Sequence, residues 1–100
     1  MAYEPSTPTG QVISGTPFSL AGGGYLKGVV LVGGASAAGT VTVYDTNTGT
    51  ATGTVLANYS VLQGTSFGND YGPGMVFNKG LYIVVTGTGA TATAYYVPGQ

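Results

Sequence analysis

The chain has 100 residues, which is one domain with one core that can bury roughly 60–70% of the unfolded surface. Charge is its unusual property: Glu4, Lys27, Asp45, Asp70 and Lys79 make up 5% of the chain against about 25% in ordinary soluble domains, and the net charge is −1. Two lysines cannot track a phosphate backbone, the absence of cysteine removes disulfides and thiolate metal sites, and the longest apolar run, residues 28–39, is broken by glycine and short of the ~20 residues a membrane helix needs.

Met1-Ala2-Tyr3-Glu4-Pro5 has no basic region and no apolar segment behind it, so no secretory signal is expected. Residues 1–10 carry Pro5 and Pro8 and little to bury, and read as an extended N-terminal arm ahead of a domain at 11–100. Within that domain β-branched and aromatic residues lie between Gly-rich breaks, which predicts seven short strands at 11–13, 25–32, 40–44, 53–59, 75–77, 81–86 and 91–97. Gly22-Gly23-Gly24 leads into the second strand; with no lysine in register and no helix behind it, it is not a phosphate loop. Residues 46–54 alternate Thr with Gly and read as a hairpin loop. Asn78-Lys79-Gly80 reads as a tight turn, and Gly87-Thr88-Gly89-Ala90 joins the last two strands as a pair. The pattern predicts an all-β fold, a single β-sandwich or jelly-roll-like domain of about seven short strands with the arm at its N-terminus.

Strict alternation assigns the faces of these strands. In 40–44 it places Val41 and Val43 inward. In 25–32 it places Leu26, Gly28, Val30 and Val32 on one face and Lys27, Val29 and Leu31 on the other, so the strand is apolar on both sides. The strand at 81–86 repeats this, with Leu81, Ile83 and Val85 opposed to Tyr82 and Val84. Each Val or Leu left in water forgoes roughly 1.5–3 kcal/mol, so the second faces call for cover by a loop of the same chain or by a partner. Interface residues expected on this basis are Val29, Leu31, Tyr44, Tyr82 and Val84, with Tyr3, Pro5 and Pro8 of the arm.

The catalytic inventory is close to empty. There is no histidine to activate a serine, and of the carboxylates Glu4 lies in the arm while Asp45 and Asp70 fall in turns, so no enzyme activity is expected. Asp45-Thr46-Asn47-Thr48-Gly49 spaces oxygen ligands like the start of a calcium loop but lacks the distal glutamate, and reads as an Asx-type turn. No cofactor or metal site is expected. Of the eight tyrosines, Tyr25 and Tyr59 are placed beside the core, and Tyr44, Tyr82 and one of Tyr95 and Tyr96 are candidates for partner contact.

Three runs, Lys27-Gly28-Val29-Val30-Leu31-Val32, Gly39-Thr40-Val41-Thr42-Val43-Tyr44-Asp45 and Gly53-Thr54-Val55-Leu56, resemble small structural proteins of tailed bacteriophages. So does the ending, from Val76-Phe77-Asn78-Lys79-Gly80-Leu81-Tyr82 through Ala92-Thr93-Ala94-Tyr95-Tyr96. The resemblance covers about residues 25–96. It implies a capsid decoration (cement) subunit, made in the host cytoplasm and carried on the virion, that binds the major capsid protein or another virion protein and forms a homo-oligomer, with a trimer favoured. The alternative it leaves open is a fibre or a receptor- or glycan-binding module. Partners of nucleic acid or membrane are not expected.

Overall fold

The structure is a computed structural model that describes residues 8–99. The expected contacts Tyr3 and Pro5 lie outside the described residues. Those described form eight strands and no helix: β1 (Thr9–Ile13), β2 (Phe18–Ala21), β3 (Gly24–Val32), β4 (Gly39–Asp45), β5 (Thr54–Val61), β6 (Ser66–Phe77), β7 (Gly80–Thr86) and β8 (Thr91–Pro98). They make two antiparallel sheets packed face to face. Sheet I has the order β1-β8-β3-β6 and sheet II the order β2-β7-β4-β5. The pairs are nested about a single hairpin, β4–β5, with β3–β6, β2–β7 and β1–β8 wrapped successively around it.

This arrangement corrects two expectations. The strands on either side of residues 87–90 do not pair: β7 belongs to sheet II and β8 to sheet I. The chain turns out of its sheet at Gly87, whose φ of 106° suits glycine and whose hydrogen occupies a space where a Cβ would lie 2.1 Å from the Ala38 carbonyl oxygen. The turn at 78–80 is a crossover of the same kind, from β6 to β7. There are also eight strands where seven were expected, because β2 was missed and β6 runs for 12 residues rather than three.

β3 departs from strict alternation. Against β8, Leu26 faces Tyr96 and Gly28 faces Tyr95, so Lys27 is an extra residue, a β-bulge. Against β6, Leu26 faces Met75 and Gly28 faces Asp70. Four residues of β6 stand there opposite the single Lys27. A one-residue bulge inverts the side-chain parity, so Leu26 before it and Val29 and Leu31 after it all point into the core. Val29 and Leu31 are 0% exposed, which closes them to any partner and corrects their assignment as interface residues. Val30 and Val32 take the outer face instead.

Between the sheets lie Ile13, Leu26, Val29, Leu31 and Phe77 of sheet I against Val41, Val43, Leu81 and Ile83 of sheet II, all fully or almost fully buried. Val41 and Val43 are inward as the alternation of β4 predicts. At one side of the sandwich Phe18 of β2 packs on Tyr96 of β8 with ring centroids 5.7 Å apart. At the opposite side Tyr59 of β5 packs on Phe67 of β6 at 5.1 Å. The Tyr59 hydroxyl accepts a 2.8 Å hydrogen bond from the Asn69 amide and shares a hydrogen bond with the Tyr71 hydroxyl. Burial, and then the bond to Tyr59, push the Tyr71 phenol well above its ordinary value.

The bulge makes a ranking of neighbours testable. Leu31→Ala should cost about 2–5 kcal/mol in urea unfolding, while Val32→Ala, one residue on, should stay within about 0.5 kcal/mol. The reverse ranking would mean that β3 keeps an uninterrupted alternation.

Candidate functional site

Residues directly opposite in neighbouring strands share a face, so the ladders define what each sheet shows to solvent. On sheet II the outer rows are Tyr82–Tyr44–Val55, Val84–Thr42–Asn58 and Thr86–Thr40–Ser60, read across β7, β4 and β5. The structure therefore brings the expected contacts Tyr44, Tyr82 and Val84 together. The two tyrosine rings lie 6.3 Å apart at 44°, and with Val84 they are half-buried, while Val55 beside them is exposed. Thr40 and Thr86 join their hydroxyls across the strands. No charged residue stands in these rows, which form a neutral patch of aromatic rings, valine and threonine.

Sheet I shows a different outer face. Its rows are Val12–Thr93–Val30–Gly68, Thr91–Val32–Ser66, Gly10–Tyr95–Gly28–Asp70 and Val97–Tyr25–Val76. Val12 is 64% exposed and Tyr95 41%, and Val32 and Val76 are also open. Tyr95 is thus the outward member of the Tyr95–Tyr96 pair, since Tyr96 is buried. At the third of these rows an open groove of about 600 Å³ crosses the sheet, with Pro8 at one end and Asp70 and Gly72 at the other. Its origin is the bulge. Gly28 and Gly68 present no side chain there, and the extra residues of β6 rise beside it.

Lys27 reaches over that insertion, its Nζ donating to the Pro73 carbonyl at 2.7 Å. Asp70 Oδ1 accepts the Gly72 N–H at 2.8 Å. Sequence reasoning named Pro8 and one of Tyr95 and Tyr96 but not the groove, because strict alternation gave the contact role on β3 to Val29 and Leu31. The available signal was Gly28 itself, since a glycine inside an apolar strand often marks a bulge or a close backbone approach.

Asp45 does not close the β4–β5 hairpin with an Asx turn. Its carboxylate reaches the other crossover and accepts the N–H groups of Lys79 at 2.8 Å and Asn78 at 3.0 Å, with Gly80 at 3.4 Å. Thr46, buried at the hairpin mouth, takes the local role: its Oγ1 accepts the Thr48 N–H at 3.3 Å. Hydroxyls of Thr46, Thr48, Thr50 and Thr52 continue as a hydrogen-bonded ladder. Among the described residues no three His, Cys, Asp or Glu side chains cluster as a metal site would require. Asp45 and Asp70 fall in different sheets, and each carboxylate accepts from backbone N–H groups of its own neighbourhood.

Burial alone would raise the Asp45 pKa, but the three backbone donors and the nearby Lys79 ammonium outweigh it and hold the carboxyl below its ordinary 3.8.

No protein-family model matches the chain, and comparison with curated proteins finds no match either.

A carboxyl depressed in the folded state stabilises the fold above its unfolded pKa, and that contribution is lost as pH falls through the folded value. Asp45→Asn should therefore cost about 1–3 kcal/mol at neutral pH. The gap from the parent protein should narrow below about pH 4, as the native carboxyl protonates. Thermal unfolding of both proteins across pH 2–7 checks the convergence; a constant gap would count against the carboxylate clasp.

Proposed function

We propose that this protein is a virion structural subunit of the capsid decoration type, which docks on the major capsid protein through the outer face of sheet II and stabilises the shell by adding buried area between neighbours. The observation that carries the reading is the neutral patch of Tyr44, Tyr82 and Val84. Interface cores are depleted in charge and enriched in tyrosine, and central aromatic anchors supply most of the binding energy. The charged side chains described here lie elsewhere, Asp45 and Lys79 at a crossover and Lys27 and Asp70 on the opposite sheet.

The nested pairing of β1–β8, β2–β7, β3–β6 and β4–β5 supports reading the sandwich as a jelly roll, an architecture that viral capsid and lectin domains use. Fold alone does not assign function, so the weight rests on the patch and on the residues that resemble phage structural proteins. The subunit is non-enzymatic in this reading. It works as a homo-oligomer, a trimer by the same resemblance, and the arm residues Tyr3 and Pro5 add contacts to the shell.

The test is rebinding to purified shells stripped of the protein. Tyr82→Ala and Val84→Lys should each weaken binding by about 2 kcal/mol or more, roughly thirtyfold, with little change in Tm. Undiminished occupancy by both variants would overturn docking through this face. Deleting residues 1–7 should also lower occupancy. Sedimentation of the free protein tests the oligomer, and a monomer at high concentration would contradict it.

A further inference from the structure

We propose that the groove across sheet I is a binding site for a neutral, extended oligosaccharide. This goes beyond capsid docking, which uses the opposite face, and it can fail or hold without affecting that reading. Three observations carry it.

The first is shape. The groove runs across the strands, from Pro8 beside β1 past Tyr95 and Gly28 to Asp70 on β6. Three inter-strand spacings make about 14 Å, room for a short chain of sugar rings. Its volume of about 600 Å³ lies within the range of small-ligand sites. At the middle of the groove the strands β8 and β3 are inner strands paired on both sides, so a ligand lying over them is recognised by side chains.

The second is the wall. Tyr95, 41% exposed, lines the groove together with Gly28, which carries no side chain. A Cβ on Gly28 would lie 2.9 Å from the Asn69 carbonyl oxygen, so the floor cannot be filled there without moving β6. The ring packs over Gly10 of β1, and its open amphipathic surface suits the C–H face of a sugar.

The third is charge. Lys27 and Asp70 both border the groove. Each is fixed by one backbone group, Pro73 O and Gly72 N–H, which orients its remaining hydrogen-bonding capacity. One ammonium and one carboxylate cancel in net field while offering donors and acceptors to hydroxyls, which favours a neutral ligand over an anionic one.

The experiment is a printed array of neutral oligosaccharides of three or more residues, with sialylated and sulfated ones as controls, followed by calorimetry on the strongest binder. Neutral chains should bind. Tyr95→Ala and Asp70→Asn should each weaken binding by about tenfold, while Tyr82→Ala, on the opposite sheet, leaves it unchanged. Asp70→Asn keeps an oxygen for the Gly72 N–H, so its loss would report on the ligand rather than on folding. Absence of binding to neutral chains, preference for the acidic controls, or binding that survives Tyr95→Ala would each overturn the proposal.

Discussion

The extra residue at Lys27 in β3 is the constraint on which the rest of sheet I depends. β3 is an inner strand of its sheet, paired on one side with β8 and on the other with β6. A strand in that position, with apolar residues at Leu26, Val29, Val30, Leu31 and Val32, cannot satisfy one core under strict alternation. Leu26 would oppose Val29 and Leu31 across the sheet. The bulge resolves the conflict by spending one residue: Leu26, Val29 and Leu31 all reach the core. At the same point β6 carries four residues opposite Lys27, and Gly28, Gly68 and Gly72 border the concave outer surface there. Core register and groove meet at one place in the backbone, so a change there would disturb both.

Sheet II is held differently. β4 runs without irregularity as far as Val43, and β7 is regular throughout, so its inner and outer faces follow the sequence directly. What has to be secured there is the chain crossing between sheets. Asp45, at the end of β4, binds three consecutive N–H groups of the β6–β7 crossover and so ties it to the hairpin strand. At the other end Gly87 lets β7 leave its sheet against the Ala38 carbonyl. The sides of the sandwich are closed by aromatic contacts, Phe18 on Tyr96 and Tyr59 on Phe67.

Those differences explain what could be read from the sequence. The strands rich in Val, Ile and Thr were legible, and so was the patch of Tyr44, Tyr82 and Val84, because alternation holds along β4 and β7. β2 was not, since Phe18–Ala21 is four residues between a proline and a glycine run and contributes only Phe18 and Leu20 to the interior. Most of β6 was hidden by Gly68, Asn69, Asp70, Gly72, Pro73 and Gly74, which local propensity reads as loop. An edge strand tolerates them because one side of it needs no partner. The role of Asp45 was out of reach for another reason: its partners lie more than 30 residues away, as the separation of 34 from Lys79 shows, and no local pattern encodes that contact.

The scarcity of charge takes a more specific meaning from this geometry. Much of the outer surface is hydrated through hydroxyls instead, with threonine at Thr40, Thr42, Thr86, Thr91 and Thr93 and the ladder from Thr46 to Thr52. Threonine serves both demands of such a position, because its β-branch favours the strand and its hydroxyl meets water. A neutral surface is thus compatible with a soluble fold and does not by itself require cover. What threonine does not account for is Tyr44 with Tyr82 and Val84 on one sheet, and Tyr95 with Val12 and Val32 on the other. The described charges are not scattered over the sheets as they would be to keep copies apart, and none stands in the outer rows of sheet II. Asp45 and Lys79 sit together at a crossover, and Lys27 and Asp70 at the groove. Among the described residues no charge stands in the outer rows of sheet II to oppose the approach of a second apolar surface. In the proposed docking, the neighbour meets Tyr44, Tyr82 and Val84 there without a charge to desolvate.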